Sequence, residues 1–190
     1  MTRIIAGSAG GRRLRTPRGE LTRPTSDRVR EALFSALEST LGSLEGIRFL
    51  DLYAGSGAVG LEALSRGAAA AVMVEQDRRT ATLVRDNART VGLGDRAQVV
   101  GSSAARFLAE AAPEEHDVVF LDPPYGLSRE AVEADLALLA ARGWLADDAL
   151  VVVERSARDA ALTWPEGYAE GRLRRYGETA LVFGTWVPLR

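Results

Sequence analysis

The residues best equipped for chemistry in this 190-residue chain are Asp122-Pro123-Pro124-Tyr125, which follow the run Asp117-Val118-Val119-Phe120-Leu121. A run of that length rich in β-branched residues reads as a buried strand, and two prolines must end it. An acid is thereby delivered to the carboxyl edge of a sheet. Tandem proline fixes two φ angles and removes two N–H donors, so the local carbonyls face a partner with no donor beside them. Tyr125 adds a flat aromatic face. Acid, bare carbonyls and ring together suit a planar group bearing an amine, such as a nucleobase with an exocyclic NH2. The plain alternative for four such residues is a strand-ending turn.

A second constellation lies upstream in Asp51-Leu52-Tyr53-Ala54-Gly55-Ser56-Gly57-Ala58-Val59-Gly60. Its glycines spell G-x-G-x-x-G, a pattern that lets backbone N–H groups and a helix start approach a ligand without a Cβ in the way. Glu75 lies 20 residues beyond Gly55, where an acid can accept from both hydroxyls of a ribose. Dinucleotide-binding folds share these features, so a nicotinamide-dependent oxidoreductase stays open on them alone. Two residue sets favour another nucleotide. A pyrophosphate wants no anion at its cradle, yet Asp51 stands at the mouth of this one. A carboxylate there suits an ammonium group, such as the methionine end of S-adenosylmethionine. The other is Asp122 to Tyr125, for which hydride transfer has no use. Tyr53 and Gln76, neighbours of these strand-end acids, join the candidate cofactor set.

The elements that must position these groups alternate. Strands are expected at Ile47 to Leu52, Ala70 to Val74, Ala97 to Val100, Val118 to Leu121 and Ala149 to Glu154. Helices are expected at Gly57 to Arg66, Arg78 to Val91, Ala104 to Ala111 and Ser128 to Arg142. Arg172 to Tyr176 and Thr179 to Trp186, separated by Gly177-Glu178, read as a closing hairpin. The pattern predicts a doubly wound, mostly parallel α/β sheet with an antiparallel C-terminal edge. Ahead of it, Arg3 to Ala6 and Arg12 to Arg15 flank a glycine-rich connection and predict a small hairpin, followed by a loop from Pro17 to Pro24. Thr25-Ser26-Asp27 then caps an amphipathic helix whose stripe is Val29, Leu33, Ala36, Leu37 and Leu41, with Arg28 and Arg30 off it. A basic hairpin or arm over residues 1–24 and a catalytic domain over 25–190 are expected.

Composition narrows the classes. Hydrophobic residues make up 46% and charged ones 26%, as in globular domains. No apolar run approaches the ~20 residues of a membrane helix, and the N-terminus lacks the apolar core of a secretory signal, so a cytoplasmic address is expected. The absence of cysteine excludes disulfides, thiolate catalysis and cysteine-held zinc; no metal is expected. His116, the single histidine, sits among acids before a strand and reads as a surface residue. The pair Asp147-Asp148 reads as a turn in water. Residues 1–30 carry eight arginines against Glu20 and Asp27, a net +6 that leaves −8 for the rest of a chain whose total is −2. An arginine-rich arm on an acidic domain suits a phosphate backbone, because each neutralised phosphate releases counterions.

The order Arg23-Pro24-Thr25-Ser26-Asp27-Arg28-Val29-Arg30-Glu31-Ala32-Leu33-Phe34, then DLYAGSGAVGLEALSRGA from Asp51 to Ala68, then DPPY, resembles the bacterial small-subunit (16S) rRNA guanine-N2 methyltransferase family of the RsmD type. Similarity extends to the Arg-Ile-Ile-Ala-Gly start and to Gly143-Trp144-Leu145. The resemblance implies a Rossmann-like class I methyltransferase fold with S-adenosylmethionine as cofactor. Asp51, Gly55 and Gly57 would cradle its methionine side, Glu75 would clamp the ribose, and Asp122, Pro123, Pro124 and Tyr125 would form the catalytic loop. Where such enzymes often place an adenine-binding acid, this chain has Ser103, followed by Ala104, whose backbone N–H could serve instead. Arg12, Arg13, Arg15, Arg23 and Arg28 would meet RNA. The expected partner is 16S rRNA or the 30S subunit, the expected state a monomer without membrane association. Methylation of DNA adenine or of a protein glutamine is the alternative within the reaction class.

Overall fold

The structure, a computed structural model, describes residues 2–18 and 26–188. Seven strands form the main sheet: β3 (Arg48–Asp51), β4 (Ala70–Glu75), β5 (Ala97–Gly101), β6 (His116–Leu121), β7 (Leu145–Ser156), β8 (Tyr168–Tyr176) and β9 (Thr179–Trp186). Their order is β5-β4-β3-β6-β7-β9-β8. The first five are parallel, whereas β9 runs antiparallel to both β7 and β8. The doubly wound sheet with an antiparallel edge is therefore present, and the closing hairpin turns at Gly177 as expected.

Both faces of the sheet are covered, which explains why its central strands are unbroken apolar runs. Helices α1 (Asp27–Leu41), α2 (Ala58–Ser65) and α3 (Arg78–Thr90) pack on the side of Phe49, Met73, Val118, Phe120 and Val152. Helices α4 (Ala104–Ala109) and α5 (Arg129–Ala141) pack on the side of Leu50, Val74, Val119, Leu121 and Val153. The chain runs outward from β3 to β5 and then returns to β6 on the other side of β3. This reversal opens the crevice in which such sheets bind ligands.

The N-terminal strands β1 (Thr2–Arg3) and β2 (Arg13–Leu14) pair antiparallel. Side chains of α2 hold the hairpin by its backbone. Glu62 accepts the Ile5 N–H at 2.8 Å and the Ala6 N–H at 3.0 Å. Ser65 Oγ accepts from Ala9 N at 2.9 Å and donates to the Ala6 carbonyl at 2.6 Å. Approach is so close that a Cβ on Gly7 would stand 1.9 Å from the Ser65 carbonyl oxygen.

Helix α1 begins where expected, with Ser26 Oγ accepting from Val29 N at 3.2 Å. Arg30, expected off the apolar stripe, is instead fully buried. Its guanidinium donates to the Arg3 carbonyl and to Asp27, and its Nε lies 3.7 Å from Glu62 Oε2. His116 is likewise buried, because β6 starts two residues earlier than its apolar run. Its ring stacks on Trp144 at 6.0 Å, and burial lowers its pKa to about 4. Asp147 and Asp148 lie within β7, in a bulge between the pairs His116↔Leu145 and Val118↔Leu150, with Asp148 at φ 61°. The run Trp164 to Tyr168 fastens the C-terminal hairpin. The Trp164 ring covers Gly184, where a Cβ would meet it at 2.5 Å, and Tyr168 donates to the Leu136 carbonyl at 2.7 Å.

Candidate active site

A cavity of about 520 Å³ opens at the carboxyl edge of the sheet, within the usual size for a small-ligand site. The topology dictates what meets there. Asp51 ends β3 in register with Phe120 of β6, and Asp122 follows two residues later. Tyr53, Gly55, Glu75, Gln76, Ser103, Ala104 and all of Asp122 to Tyr125 line the same cavity as Asp51. Gly57 does not. It packs beneath the loop, where a Cβ would stand 2.7 Å from Val84 Cγ1, and it starts α2 at φ 81°. Gly55, at φ 54° with open space where a Cβ would point, is the glycine that faces the cavity.

Asp51 is 1% exposed. One oxygen, Oδ2, accepts from Gly60 N at 3.2 Å, and the other, Oδ1, has no hydrogen-bond partner among the described residues. Burial outweighs the backbone N–H groups of Gly60 and Tyr53 and raises its pKa to about 7. A buried carboxylate oxygen left without a donor is costly, and a cation placed in the cavity would relieve it. Glu75 organises the loop, with its carboxylate accepting from Gly55 N at 3.0 Å and Asp77 N at 2.8 Å. Tyr53 donates its hydroxyl to Asp135 of α5, tying the loop after β3 to the helix after the proline pair. Ser103 caps α4, its Oγ accepting from Arg106 N at 3.3 Å, so its hydroxyl already serves the helix.

In the proline loop the Pro124 carbonyl accepts from Leu127 N at 2.9 Å. The Pro123 carbonyl is thus the acceptor left beside the half-buried Asp122. Tyr125 is 72% exposed, an unusual position for an aromatic ring, and one that leaves its face open at the cavity. Among the basic residues, Arg12, Arg13 and Arg28 are exposed. Arg15 is exposed as well but is paired with Asp86 at 3.0 Å, a contact an RNA phosphate would have to displace. Arg23 and Thr25, with most of the loop expected from Pro17 to Pro24, lie outside the described residues.

The cavity wall also holds residues that carry no motif in the sequence. Glu154 and Arg155 lie at the carboxyl end of β7, and Thr16 and Pro17 bring the N-terminal arm to the cavity wall. Glu154 ends a strand foreseen over Ala149 to Glu154, so the strand-end rule was the available signal. Nothing local marks Thr16 or Pro17.

A family model described as conserved hypothetical protein 95 matches residues 2–185. Ribosomal RNA small subunit methyltransferase D of Escherichia coli strain K12 is 42% identical over 178 residues, covering 94% of this chain and 86% of that protein. The solved structure of yhhF from Escherichia coli superposes with a TM-score of 0.86 at 38% identity, over 98% of each chain. An RNA methyltransferase from Salinibacter ruber, solved with S-adenosyl-L-homocysteine, shares the fold at a TM-score of 0.67 and 19% identity, over 88% of this chain and 96% of that one.

Proposed function

This chain belongs to the RsmD-type methyltransferase family, and we propose that it methylates the exocyclic N2 amine of a guanine in small-subunit (16S) rRNA, presented within a 30S particle. The observation that carries this reading is the convergence of Asp51 and Asp122 on one cavity from neighbouring strand ends: one acid for a cation, one for an amine. Ribosomal RNA is the substrate that the Escherichia coli relative's name supplies.

The methyl donor is S-adenosylmethionine, which when bound supplies an electrophilic methyl on a sulfonium centre. The residues fit it. Asp51 Oδ1 is the waiting acceptor for an ammonium group, the open side of Gly55 leaves room for close approach, and Glu75 faces a ribose. Tyr53, Gln76, Ser103 and Ala104 complete the wall, with Gly57 as its support. The lone pair of an aromatic amine is delocalised into the ring, which makes the nitrogen a poor nucleophile. Asp122 Oδ and the Pro123 carbonyl grip its two N–H bonds, turn the lone pair out of the ring plane, and leave Asp122 as the nearest acceptor for the surplus proton. Pro124 fixes the loop. Tyr125 stacks on the base once it is swung out of its RNA. Holding the amine in line for displacement contributes up to ~7–11 kcal/mol.

Residues 1–24 act as the RNA-facing arm of a domain over 25–190, and Arg12, Arg13, Arg15, Arg23 and Arg28 neutralise phosphates. A domain of this size has too little surface to read a long RNA alone, which favours a preassembled subunit. The enzyme acts as a monomer in the cytoplasm. Among the described residues no helix is long and apolar enough to cross a membrane.

The test is transfer of labelled methyl to small subunits from cells lacking this protein, followed by digestion to nucleosides. Label in N2-methylguanosine is expected; label in another nucleoside overturns the guanine assignment, and label in protein overturns the RNA. Asp122→Ala should reduce transfer by at least ~100-fold with S-adenosylhomocysteine affinity within about twofold of wild type. Replacing Arg12, Arg13 and Arg15 together by alanine should weaken RNA binding and lower its salt slope by roughly 2–3.

A further inference from the structure

Asn87 of α3 is 2% exposed and forms three hydrogen bonds of 2.9 Å. Its Oδ1 accepts the Arg15 N–H, while its Nδ2 donates to the Arg15 carbonyl and to the Ser56 carbonyl. The first two copy the donor and acceptor pair of a neighbouring strand, so the side-chain amide extends the pairing of β2 by one residue. The third reaches into the glycine loop, between Gly55 and Gly57. Orientation of the amide is unambiguous, since the reversed group would set its oxygen against two carbonyls. Both amide hydrogens are used, which is what permits a buried asparagine in a helix where a leucine would otherwise suit the core.

The two segments joined by this amide both border the cavity. Thr16 and Pro17 follow Arg15 directly and line it, as do Gly55 and Ser56. Arm and loop are otherwise far apart in sequence. The ion pair of Arg15 with Asp86 is exposed on both sides and contributes little by comparison.

We propose that Asn87 is a positioning residue for the cofactor site, holding the Thr16-Pro17 segment as a wall of the cavity and fixing the Ser56 turn of the glycine loop with the same amide. The arm then has two duties, one face toward RNA and one end closing the cofactor cavity. This rests on the cavity being the S-adenosylmethionine site.

The test titrates S-adenosylhomocysteine calorimetrically into the full-length protein. Binding by the wild type tests the site itself; no binding removes that reading and the role of Asn87 with it. With wild-type binding in hand, Asn87→Leu, which keeps the branched shape and deletes all three bonds, should weaken binding at least tenfold. It should also raise the KM for S-adenosylmethionine while leaving kcat at saturation within about twofold. Thr16→Gly with Pro17→Gly, at half-buried positions that the core does not use, should weaken binding in the same direction. The combined variant should be no weaker than Asn87→Leu alone, because both act through one wall. A lowered melting temperature with unchanged affinity would make Asn87 a purely structural residue and overturn the proposal. Additive losses would overturn the link to the arm. Should Asn87→Leu fail to fold, Arg15→Pro, which deletes the single arm N–H that Asn87 accepts, must show the loss of affinity instead; wild-type affinity in that variant overturns the proposal.

Discussion

Asp51 and Glu62 are both buried acids of one β-loop-α unit, the first 1% exposed and the second 0%, yet their surroundings are opposite. Glu62 takes two backbone N–H groups of the arm, the Nε of Arg66 at 2.8 Å and the nearby charge of Arg30. Both of its oxygens are occupied, and the result is a fully hydrogen-bonded joint between α2 and the N-terminal hairpin. Asp51 accepts one hydrogen bond on Oδ2, its Oδ1 has no hydrogen-bond partner among the described residues, and the Tyr53 N–H exerts a weaker pull on the carboxylate than Gly60 does. Burial alone therefore does not mark a functional acid. What separates the two is whether the fold completes the hydrogen bonding or leaves part of it to a ligand.

That difference can be broken or sharpened by substitution. The largest effect is expected from Glu62→Ala, which takes one of two acids from the buried Arg30 guanidinium, leaving it Asp27, and removes the acceptor of Arg66 Nε and of two arm N–H groups. It should cost about 3–5 kcal/mol in denaturant unfolding, and a loss below about 1 kcal/mol would erase the contrast with Asp51. Asp51→Asn should do the reverse. Its folded pKa of about 7 lies above the ordinary 3.8, so folding favours the protonated acid. Below about pH 4 both states hold the proton and the acid exacts no penalty. As pH rises from 4 to 7 the unfolded chain releases it first and stability falls, to a constant deficit above 7. The asparagine variant should match wild type near pH 4 and exceed it by on the order of 4 kcal/mol at pH 8, an upper bound from 1.36 kcal/mol per unit. The smallest effect concerns the ligand. An ammonium group needs the ionised acid, so S-adenosylhomocysteine affinity should rise up to about tenfold per pH unit from pH 5.5 toward 7 and then level off. Asp51→Asn should bind weakly and without that slope.

The same contrast explains what could be read from residue order. Strands with apolar runs and turn-forming ends were legible because their pattern repeats locally, and so were Asp51, Glu75 and Asp122, each set at a strand end by that pattern. Arg30 and Glu62 were not, because a charged residue on a helix reads as solvated and their burial depends on a hairpin that arrives from outside the helix. His116 was hidden for a similar reason: its cover is Trp144, 28 residues on. Residue order presents Ser103 only as a ligand contact, whereas it also has the local duty of capping α4. Asn87 carries no motif at all, since its three partners are backbone groups and backbone groups have no sequence signature. The G-x-G-x-x-G pattern points Gly57 at the ligand, but its missing Cβ makes room for Val84.

The placement of β9 between β7 and β8 has a consequence for how the molecule is made. Strands β3, β4, β5, β6 and β7 are all synthesised before residue 157, yet the outer edge of β7, with Val151, Val152 and Val153 along it, is covered only when Thr179–Trp186 emerges. A nascent chain carrying every proposed catalytic residue therefore still shows an open, apolar strand edge, the feature that draws other chains into aggregates. Strand β9 acts as the seal on that edge. Truncation that removes it would be felt first as loss of soluble protein during expression, before any defect in the catalytic loop could be measured.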